Sequence, residues 1–292
     1  MIKTLKTIVL HLIQYLPTKL YLQLLYRYLF HRRLHLTHPQ AYSEKLQWLK
    51  LYYHPKEHID MADKYAVKAI VSKIIGVEHV IPTIGCWERI EDIQWEQLPH
   101  RFVLKTTNGG GNEGVIVCQD KDKLDITKTC QRLRQALKQN QWRENREWQY
   151  KHIHPRIIAE QYMEDKYGEL RDYKFFCFNG EVKAMFVATE RQSSEGPYFN
   201  FFDADYNQLP VQRLGVPVNP VPPQKPESFE QMKLIAHKLS MDIPHVRVDL
   251  YEVDGKVFFG EYTFFGGGGF GRWVPDEWDY TFGSWLKLPK RS

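Results

Sequence analysis

From Phe102 to Val117 the chain reads Phe-Val-Leu-Lys105-Thr-Thr-Asn-Gly109-Gly110-Gly111-Asn-Glu113-Gly114-Val-Ile-Val. Two short runs of strand-forming residues flank a glycine-dense turn, so this stretch has to close on itself as a hairpin. Glycines let backbone N–H groups approach the oxygens of an anion, and a lysine ending the first strand sets a positive charge beside them. The loop lacks the Gly-Lys-Ser/Thr of a P-loop and the strand-helix setting of a Rossmann fingerprint. Taken alone it is equally a plain turn, and its weight comes from residues further along: Glu160 to Tyr162, Lys174, Arg247, Asp249 and Glu261.

The chain's 292 residues suffice for one large domain or two lobes with ample core. Net charge is +5, but residues 1–40 hold Lys3, Lys6, Lys19, Arg27, Arg32 and Arg33 with no acid, which leaves 34 basic against 35 acidic groups for the remainder. A nucleic-acid enzyme would spread its basic residues along a working surface, so nucleic acid is not an expected partner. Cys86, Cys118, Cys130 and Cys177 are far apart with no Cys-x-x-Cys pair, which points to a reducing, cytoplasmic setting.

In chain order, Ile2, Leu5, Ile8, Val9, Leu12, Ile13 and Leu16 recur at helical spacing up to Pro17. A second helix from about Thr18 places Tyr21, Leu24, Leu25, Tyr28 and Leu29 on one face. Neither stretch reaches the roughly 20 apolar residues of a spanning helix. Two readings stay open for residues 1–35: the apolar stripes pack on the main domain, or the basic, aromatic-rich pair lies on an anionic membrane surface, at the inner face of the membrane. Helices are also expected over 42–51, capped at Ser43, and over 63–75, capped at Asp63 and stopped by Gly76. Val80 to Ile84 reads as a strand, 122–145 as a helix in two pieces, and Arg156 to Met163 as a buried strand. Asn179-Gly180 and Asp254-Gly255 mark two hairpins, the first joining 172–178 to 181–189 and the second joining 245–253 to 256–261. Five prolines between 215 and 226 make a connector, and a helix follows from Phe229 to about Leu239.

In the final hairpin Arg247 and Asp249 project to one face of their strand, and Glu261 and Thr263 share a face of the next. Pairing across Asp254-Gly255 sets Asp249 and Glu261 side by side. Two carboxylates so placed repel unless a proton or cation lies between them, and their oxygens suit Mg²⁺. A solvated polar face with Arg247 as counter-charge is the plain alternative; the phosphate-type loop and the further lysines favour the metal.

These residues resemble the ATP-grasp enzymes and, within them, the TupA-like branch found in bacterial polysaccharide gene clusters. The resemblance spans about residues 40 to 285. It rests on Tyr-Ser-Glu-Lys-Leu-Gln-Trp-Leu-Lys at 42–50, Ala62-Asp63-Lys64-Tyr, Leu104-Lys105-Thr-Thr-Asn-Gly-Gly-Gly, Ala159-Glu160-Gln-Tyr-Met, Asp172-Tyr-Lys174-Phe-Phe-Cys-Phe-Asn-Gly180, and Val248-Asp249-Leu-Tyr with Gly260-Glu261-Tyr-Thr263. It implies an α+β ATP-grasp fold in which two β-rich lobes clasp a nucleotide, preceded by N-terminal amphipathic helices. The expected divisions are a helical segment at 1–58, a first lobe with the glycine-rich loop at 59–157, and a second lobe with the adenine hinge and metal site at 158–292. Lys64 and Lys105 would contact the phosphates of ATP, with Gly109, Gly110, Gly111 and Gly114 closing over them. Glu160, Gln161 and Tyr162 would form the adenine hinge. Asp249 and Glu261 would hold Mg²⁺ with Thr263 in the place of a more usual asparagine, while Arg247, Lys105 and Lys174 would serve the transfer. Asp165 or Glu164 would have to hold the ribose.

The activity so implied is an ATP-dependent carboxylate–amine ligase that works through an acyl phosphate. It would join an amino compound to a uronic or similar acid of a surface polysaccharide or its precursor. Two alternatives stand beside it: a glycosyltransferase using Asp203 and Asp205 of Phe-Phe-Asp-Ala-Asp, and a phosphotransferase with a hydroxyl acceptor. Gly266 to Gly269, Arg272 and Lys183 are candidates for an anionic acceptor site, a flexible glycine turn being the other reading of that run.

Overall fold

The computed structural model describes residues 14–110, 113–139, 141–191, 193 and 196–291. The expected helix over residues 2–16 lies almost wholly outside them, as does Gly111. The strands are β1 (Thr83–Trp87), β2 (Phe102–Thr106), β3 (Val115–Cys118), β4 (Ile157–Gln161), β5 (Asp172–Phe178), β6 (Glu181–Thr189), β7 (Tyr198–Asp203), β8 (Gln212–Arg213), β9 (Val246–Val253), β10 (Lys256–Thr263) and β11 (Trp273–Val274). They form a smaller sheet in the order β1-β4-β2-β3, a larger one in the order β10-β9-β5-β6-β7, and the short pair β11-β8. Every pairing in the three is antiparallel. The strand spanning the expected boundary at 157/158 lies wholly in the smaller sheet, because β4 fills the gap between β1 and β2.

Alternation decides which face of the smaller sheet becomes a core. Phe102, Leu104, Ile116, Ile157 and Ala159 point one way, into a core closed by Leu133 of the helix Ile126–Leu137. Val103, Lys105, Ile158 and Glu160 therefore point the other way, toward the larger sheet. That helix begins at Asp125, whose carboxylate accepts from the Lys128 N–H at 2.9 Å.

The larger sheet is covered on one face by the helix Phe229–Ser240, whose Met232, Ile235, Ala236 and Leu239 are buried with Val246, Val248 and Leu250. Its two tight turns are as expected: Asn179-Gly180 has φ of 50° and 84°, and Asp254-Gly255 has 50° and 73°. The helix Tyr42–Tyr52 also packs into this core. It is not capped by Ser43. Glu44 folds back to accept from the backbone N–H groups of Ala41 and Gln40 at 3.2 and 3.0 Å, and the Ser43 hydroxyl instead donates to buried Asp279 at 2.6 Å. The strand expected at Val80 to Ile84 begins at Thr83, since Val77–His79 is a 3₁₀ turn.

The helix Thr18–Phe30 docks on the same core, but through a different face from the expected one. Tyr21, Leu22, Leu25, Tyr26 and Phe30 are buried, whereas Leu20, Leu24 and Tyr28 are exposed. Arg32 sets the rotation: it binds Asp279 at 2.6 Å and Asp276 at 2.7 Å, tying the helix end to the helix Glu277–Trp285 and its cap. Among the described residues no helix is long and apolar enough to cross a membrane.

His245 lies fully inside this core. Its Nδ1 sits 2.9 Å from the Cys177 carbonyl, so Nδ1 carries the proton, and Nε2 accepts from the Tyr42 hydroxyl at 2.8 Å. Burial, with the Arg247 charge nearby, pulls its pKa down to about 3 although the Cys177 carbonyl favours the charged form. A group held neutral in the fold but titrating near 6.5 when unfolded gives stability that is complete above pH 6.5 and lost as pH falls toward the folded value. His245→Phe, which keeps a ring, is expected to remove about 3 kcal/mol of the decline in unfolding free energy between pH 6.5 and 4. Urea unfolding at a series of pH values checks this, and an unchanged slope would assign the acid lability elsewhere.

Candidate active site

Between the two sheets lies a cavity of about 570 Å³. Val80, Ile81, Val103, Val115, Met163, Leu170 and Phe259 make one part of its wall apolar, while Lys64, Lys68, Lys105, Glu160, Asp172, Arg191 and Glu261 make the rest charged. The face of the smaller sheet left over by its core supplies Val103, Lys105, Val115 and Glu160, so the pleat that built the core also built the wall.

On that side Glu160 is 5% exposed and is gripped by two ammonium groups, Lys105 at 2.5 Å and Lys68. Burial opposes its ionisation, yet the two lysines outweigh burial and hold the carboxyl below its ordinary range. Lys64 donates to the Gly109 carbonyl and so tethers the glycine-rich loop. Burial lowers its pKa, against the pull of Glu261, which places it between the two walls. Asp63 Oδ1 accepts from the Tyr65 and Ala66 N–H groups at 2.8 and 3.1 Å, which starts the helix Ala66–Ile75 and fixes where Lys64 and Lys68 emerge.

The glycines of the loop divide by role. A β-carbon at Gly109 or Gly110 would meet nothing nearer than 3.5 Å, so packing does not demand glycine at either position. One at Gly114 would stand 2.2 Å from the Thr106 hydroxyl, which makes Gly114 a packing residue of the hairpin.

On the larger sheet the charges interlock. Arg247 donates through Nε and Nη2 to both oxygens of Asp249, each at 2.7 Å, and Lys174 bridges Asp249 and Asp172, the latter at 2.6 Å. Asp249 and Glu261 are direct cross-strand partners. A regular two-residue hairpin would not achieve this, since Gly260 would then face Asp249 and Glu261 would pair with Val248, pointing into the core. A β-bulge between Phe259 and Glu261 adds the residue that restores the face. Gly260 suits the bulge because a β-carbon there would press on the Asp249 carbonyl at 3.0 Å and the Tyr251 ring at 2.9 Å. Burial opposes the charge on Glu261, but Lys174, Lys64 and Arg247 together keep its pKa lowered.

Of the residues singled out in the sequence, Lys64, Lys105, Glu160, Gln161, Tyr162 and Glu261 line the cavity, and Lys174, Arg247 and Asp249 interlock beside Glu261 on the larger sheet; four others stand elsewhere or are otherwise engaged. Thr263 accepts from Arg247 at 2.9 Å, so its hydroxyl orients the guanidinium. Asp165 does not line the cavity; its carboxylate accepts from the N–H groups of Tyr167 at 2.8 Å and Arg171 at 3.2 Å, closing its own turn. Asp203 likewise accepts from the N–H groups of Asp205 and Asn207 at 2.9 Å in an exposed turn, which is Asx-turn chemistry and not a sugar-nucleotide site. Lys183 pairs with Glu181 at 2.5 Å on the exposed start of β6 and does not line the cavity. In the hinge, Gln161 already donates its N–H to the Pro82 carbonyl at 3.1 Å, and the Arg101 guanidinium stacks 3.9 Å from the Tyr162 ring centroid.

Four residues not singled out as site residues matter: Lys68, Asp172, Arg191 and Arg213. Asp172 was readable, since it shares a face with Lys174 two residues on. Arg191 stands 3.4 Å from Asp172 on the cavity wall. Asp172, Asp249 and Glu261 stand on three neighbouring strands; both oxygens of Asp249 already accept from Arg247 and Lys174, whereas Asp172 Oδ1 is buried with no hydrogen-bond partner among the described residues, so within this donor set Asp172 and Glu261 are the ones open to a divalent cation. A second cluster, His100 with Asp120 and Asp122, lies outside the cavity and has Asp120 paired with Lys123 at 2.8 Å.

Two sheets facing each other across a charged cleft, each reached by its own hairpin, make an ATP-grasp fold. The chain belongs to the TupA-like ATP-grasp family, whose description matches residues 44–287. Among solved structures, the ATP complex of D-alanine–D-alanine ligase from Bacillus anthracis is similar over 70% of this chain and 54% of its own, at 15% identity and a TM-score of 0.43. D-alanine–D-alanine ligase from Helicobacter pylori is similar over 84% and 69%, at 12% identity and 0.44. The ATP-grasp ligase PsnB, complexed with minimal precursor, Mg and ADP, is similar over 84% and 66%, at 10% identity and 0.42. The chain therefore spans 54% to 69% of the length of these proteins. A search of curated protein sequences returned no match.

Gly260→Ala is expected to destabilise the fold by about 1–3 kcal/mol, because the bulge has no room for a β-carbon. The midpoint of urea unfolding measures it; an unshifted midpoint would show that the bulge yields and that its glycine is dispensable.

Proposed function

We propose that the cavity binds ATP with Mg²⁺ and that the protein is an ATP-dependent carboxylate–amine ligase. The supporting observation is the meeting of an apolar slot and three lysines, Lys64, Lys68 and Lys105, with a carboxylate-bearing face opposite. An adenine ring suits the slot between Val103, Met163, Leu170 and Phe259. The lysines, neutralised only in part by Glu160, suit a polyphosphate. Glu261 and Asp172 would hold Mg²⁺, which when bound supplies positive charge against the phosphate oxygens. Arg247, fixed by Asp249 and Thr263, presents its guanidinium to the transferred phosphoryl group, and Lys174 keeps the carboxylates of β5 and β9 in register.

In the first step a substrate carboxylate oxygen attacks the γ-phosphorus and the bond to the β-phosphate oxygen breaks, releasing ADP. In the second an amine nitrogen attacks the acyl carbon, the C–O bond breaks with loss of orthophosphate, and the amine gives up a proton. The chain's contribution is positioning and charge. Water must be held away from the acyl phosphate, and the loop around Gly109 and Gly110, tethered by Lys64, is suited to cover it.

For the substrates, the reading extends to a carboxylate-bearing sugar, such as a uronic acid of a surface polysaccharide or its precursor, and an amine. The exposed Leu20, Leu24 and Tyr28, flanked by exposed Lys19 and Arg27, support a peripheral contact with an anionic membrane where such a precursor is carried.

Lys105→Ala and Glu261→Ala are each expected to lower amine-dependent ADP release by a factor of about 10² to 10³ while leaving the near-ultraviolet circular dichroism unchanged. Orthophosphate that appears only when an amine is supplied marks the ligase; phosphate transferred to a hydroxyl instead marks a phosphotransferase. Calorimetry with ATP–Mg²⁺ beside UDP-sugars completes the test, since binding of the latter alone would remove the ATP reading.

A further inference from the structure

Arg213 is the cation that the proposed chemistry leaves without a task. It sits in β8, opposite Trp273 of β11, with its guanidinium 5.2 Å from the centre of the indole ring. Its polar contact among the described residues is one long hydrogen bond to the Gly266 carbonyl at 3.4 Å, and no carboxylate among them pairs with it. The charges that bear on it are already engaged. Arg247 is closed by Asp249 at 2.7 Å, and Asp279 is taken by Arg32 at 2.6 Å and by the Ser43 hydroxyl. Burial pulls the pKa of Arg213 down to about 10, the Tyr42 phenol resists this, and the like charge of Arg247 adds to the decline.

Charge balance makes the surplus plain. On the cavity-facing side of the larger sheet Asp172, Asp249 and Glu261 are matched by Lys174, Arg191 and Arg247, so a neighbouring arginine is one cation too many. A desolvated guanidinium beside another guanidinium is unfavourable unless an anion joins them.

The two guanidiniums meet at the glycine turn. A β-carbon on Gly266 would lie 3.2 Å from Arg247 Nη1, and those on Gly267 and Gly271 would fall 2.6 Å from Arg213 Nη2 and 1.3 Å from its Cζ, so Arg213 takes up side-chain space that these glycines leave and the two guanidiniums flank the exposed Gly267 backbone. The turn is held from behind: Lys50 donates to the Gly268 carbonyl at 2.5 Å and Gln47 to that of Gly269 at 2.8 Å. Gly267, Gly268 and Gly269 have φ of 62°, 63° and 67°, a left-handed run that rigid packing imposes. Neither Arg213 nor Arg247 lines the nucleotide cavity, but Arg247 stands 3.9 Å from Glu261, which does.

We propose that Arg213, beside Arg247 and over the side-chain-free backbone of Gly266 and Gly267, anchors a carboxylate of the acceptor substrate. This rests on the ligase reading and places the acceptor's anion at Arg213, in preference to Arg272 or Lys183. Arg213 is a positioning residue for substrate, and a bidentate guanidinium fits a planar carboxylate.

The test is thermal unfolding of the full chain and of Arg213→Met in chloride, sulfate and D-glucuronate at equal ionic strength. In chloride Arg213→Met is expected to unfold about 2–4 °C higher, because an uncompensated charge is gone. Both oxyanions are expected to raise the midpoint of the wild type by more than that of the variant, and comparing the two cancels the general effect of sulfate. Arg213→Lys, which keeps the charge but loses the fork, is expected to retain part of the response. A lower midpoint or failure to fold for Arg213→Met would mark a purely structural arginine and overturn the proposal. So would equal responses in both proteins, or a response lost in Lys105→Ala but kept in Arg213→Met. A response to sulfate without one to D-glucuronate would replace the carboxylate with a tetrahedral oxyanion and likewise overturn it. Calorimetry with ATP–Mg²⁺ on wild type and Arg213→Met is expected to give equal affinities. Absence of ATP binding in both would sink the ligase reading while leaving the anion result to stand on its own.

Discussion

The pairing of Arg247 with Asp249, at 2.7 Å through two hydrogen bonds, is the constraint around which the larger sheet is arranged. Asp249 is fully buried, and a carboxylate there is tolerable only with its charge cancelled and its oxygens satisfied. Lys174 and Arg247 do both, and each is delivered by strand alternation: Lys174 lies directly opposite Asp249 on β5, and Arg247 two residues before it on β9. Because the cancellation is local, the face stays polar and does not collapse onto the smaller sheet. The cavity between the sheets follows from that refusal to pack.

The opposite wall is built on a different balance. Glu160 neutralises one charge of Lys68 and Lys105, and Lys64 is shared between the Gly109 carbonyl and the field of Glu261. The wall made by the smaller sheet, Lys64 and the helix Ala66–Ile75 therefore presents surplus positive charge to a larger sheet that is nearly neutral. An elongated polyanion with an apolar end is complementary to this gradient, which argues for a nucleotide polyphosphate over an uncharged ligand.

How far the sequence could be read depended on whether local signals decided the outcome. The hairpins at Asn179-Gly180 and Asp254-Gly255 were legible because turn chemistry alone sets them. The juxtaposition of Asp249 with Glu261 was expected for an incomplete reason: simple register through Asp254-Gly255 puts Glu261 on the wrong face, and the bulge at Gly260 corrects it. A glycine inside a strand pattern was the available signal. Lys68 gave less, since its role needs both the phase of the helix Ala66–Ile75 and the position of β4. Asp165 shows the opposite failure, an acid in a plausible place whose oxygens its own turn claims first. The helix Thr18–Phe30 is apolar on more than one side, so periodicity could not select the buried face; Arg32, held by Asp276 and Asp279 some 240 residues away in sequence, selects it.

The two glycine-rich runs look alike in sequence and differ in physics. A β-carbon at Gly109 or Gly110 would make ordinary contacts, and Lys64 restrains the loop through the Gly109 carbonyl. At Gly267 to Gly269 glycine is required twice over, by left-handed backbone angles and by Arg213, Asn145 and Gln47 packed where side chains would be. Packing thus tolerates a side chain at Gly109 and Gly110 and excludes one from Gly267 to Gly269. Steric exclusion and left-handed backbone angles account for glycine in the second run and not at Gly109 and Gly110, so glycine density by itself could not tell the two apart.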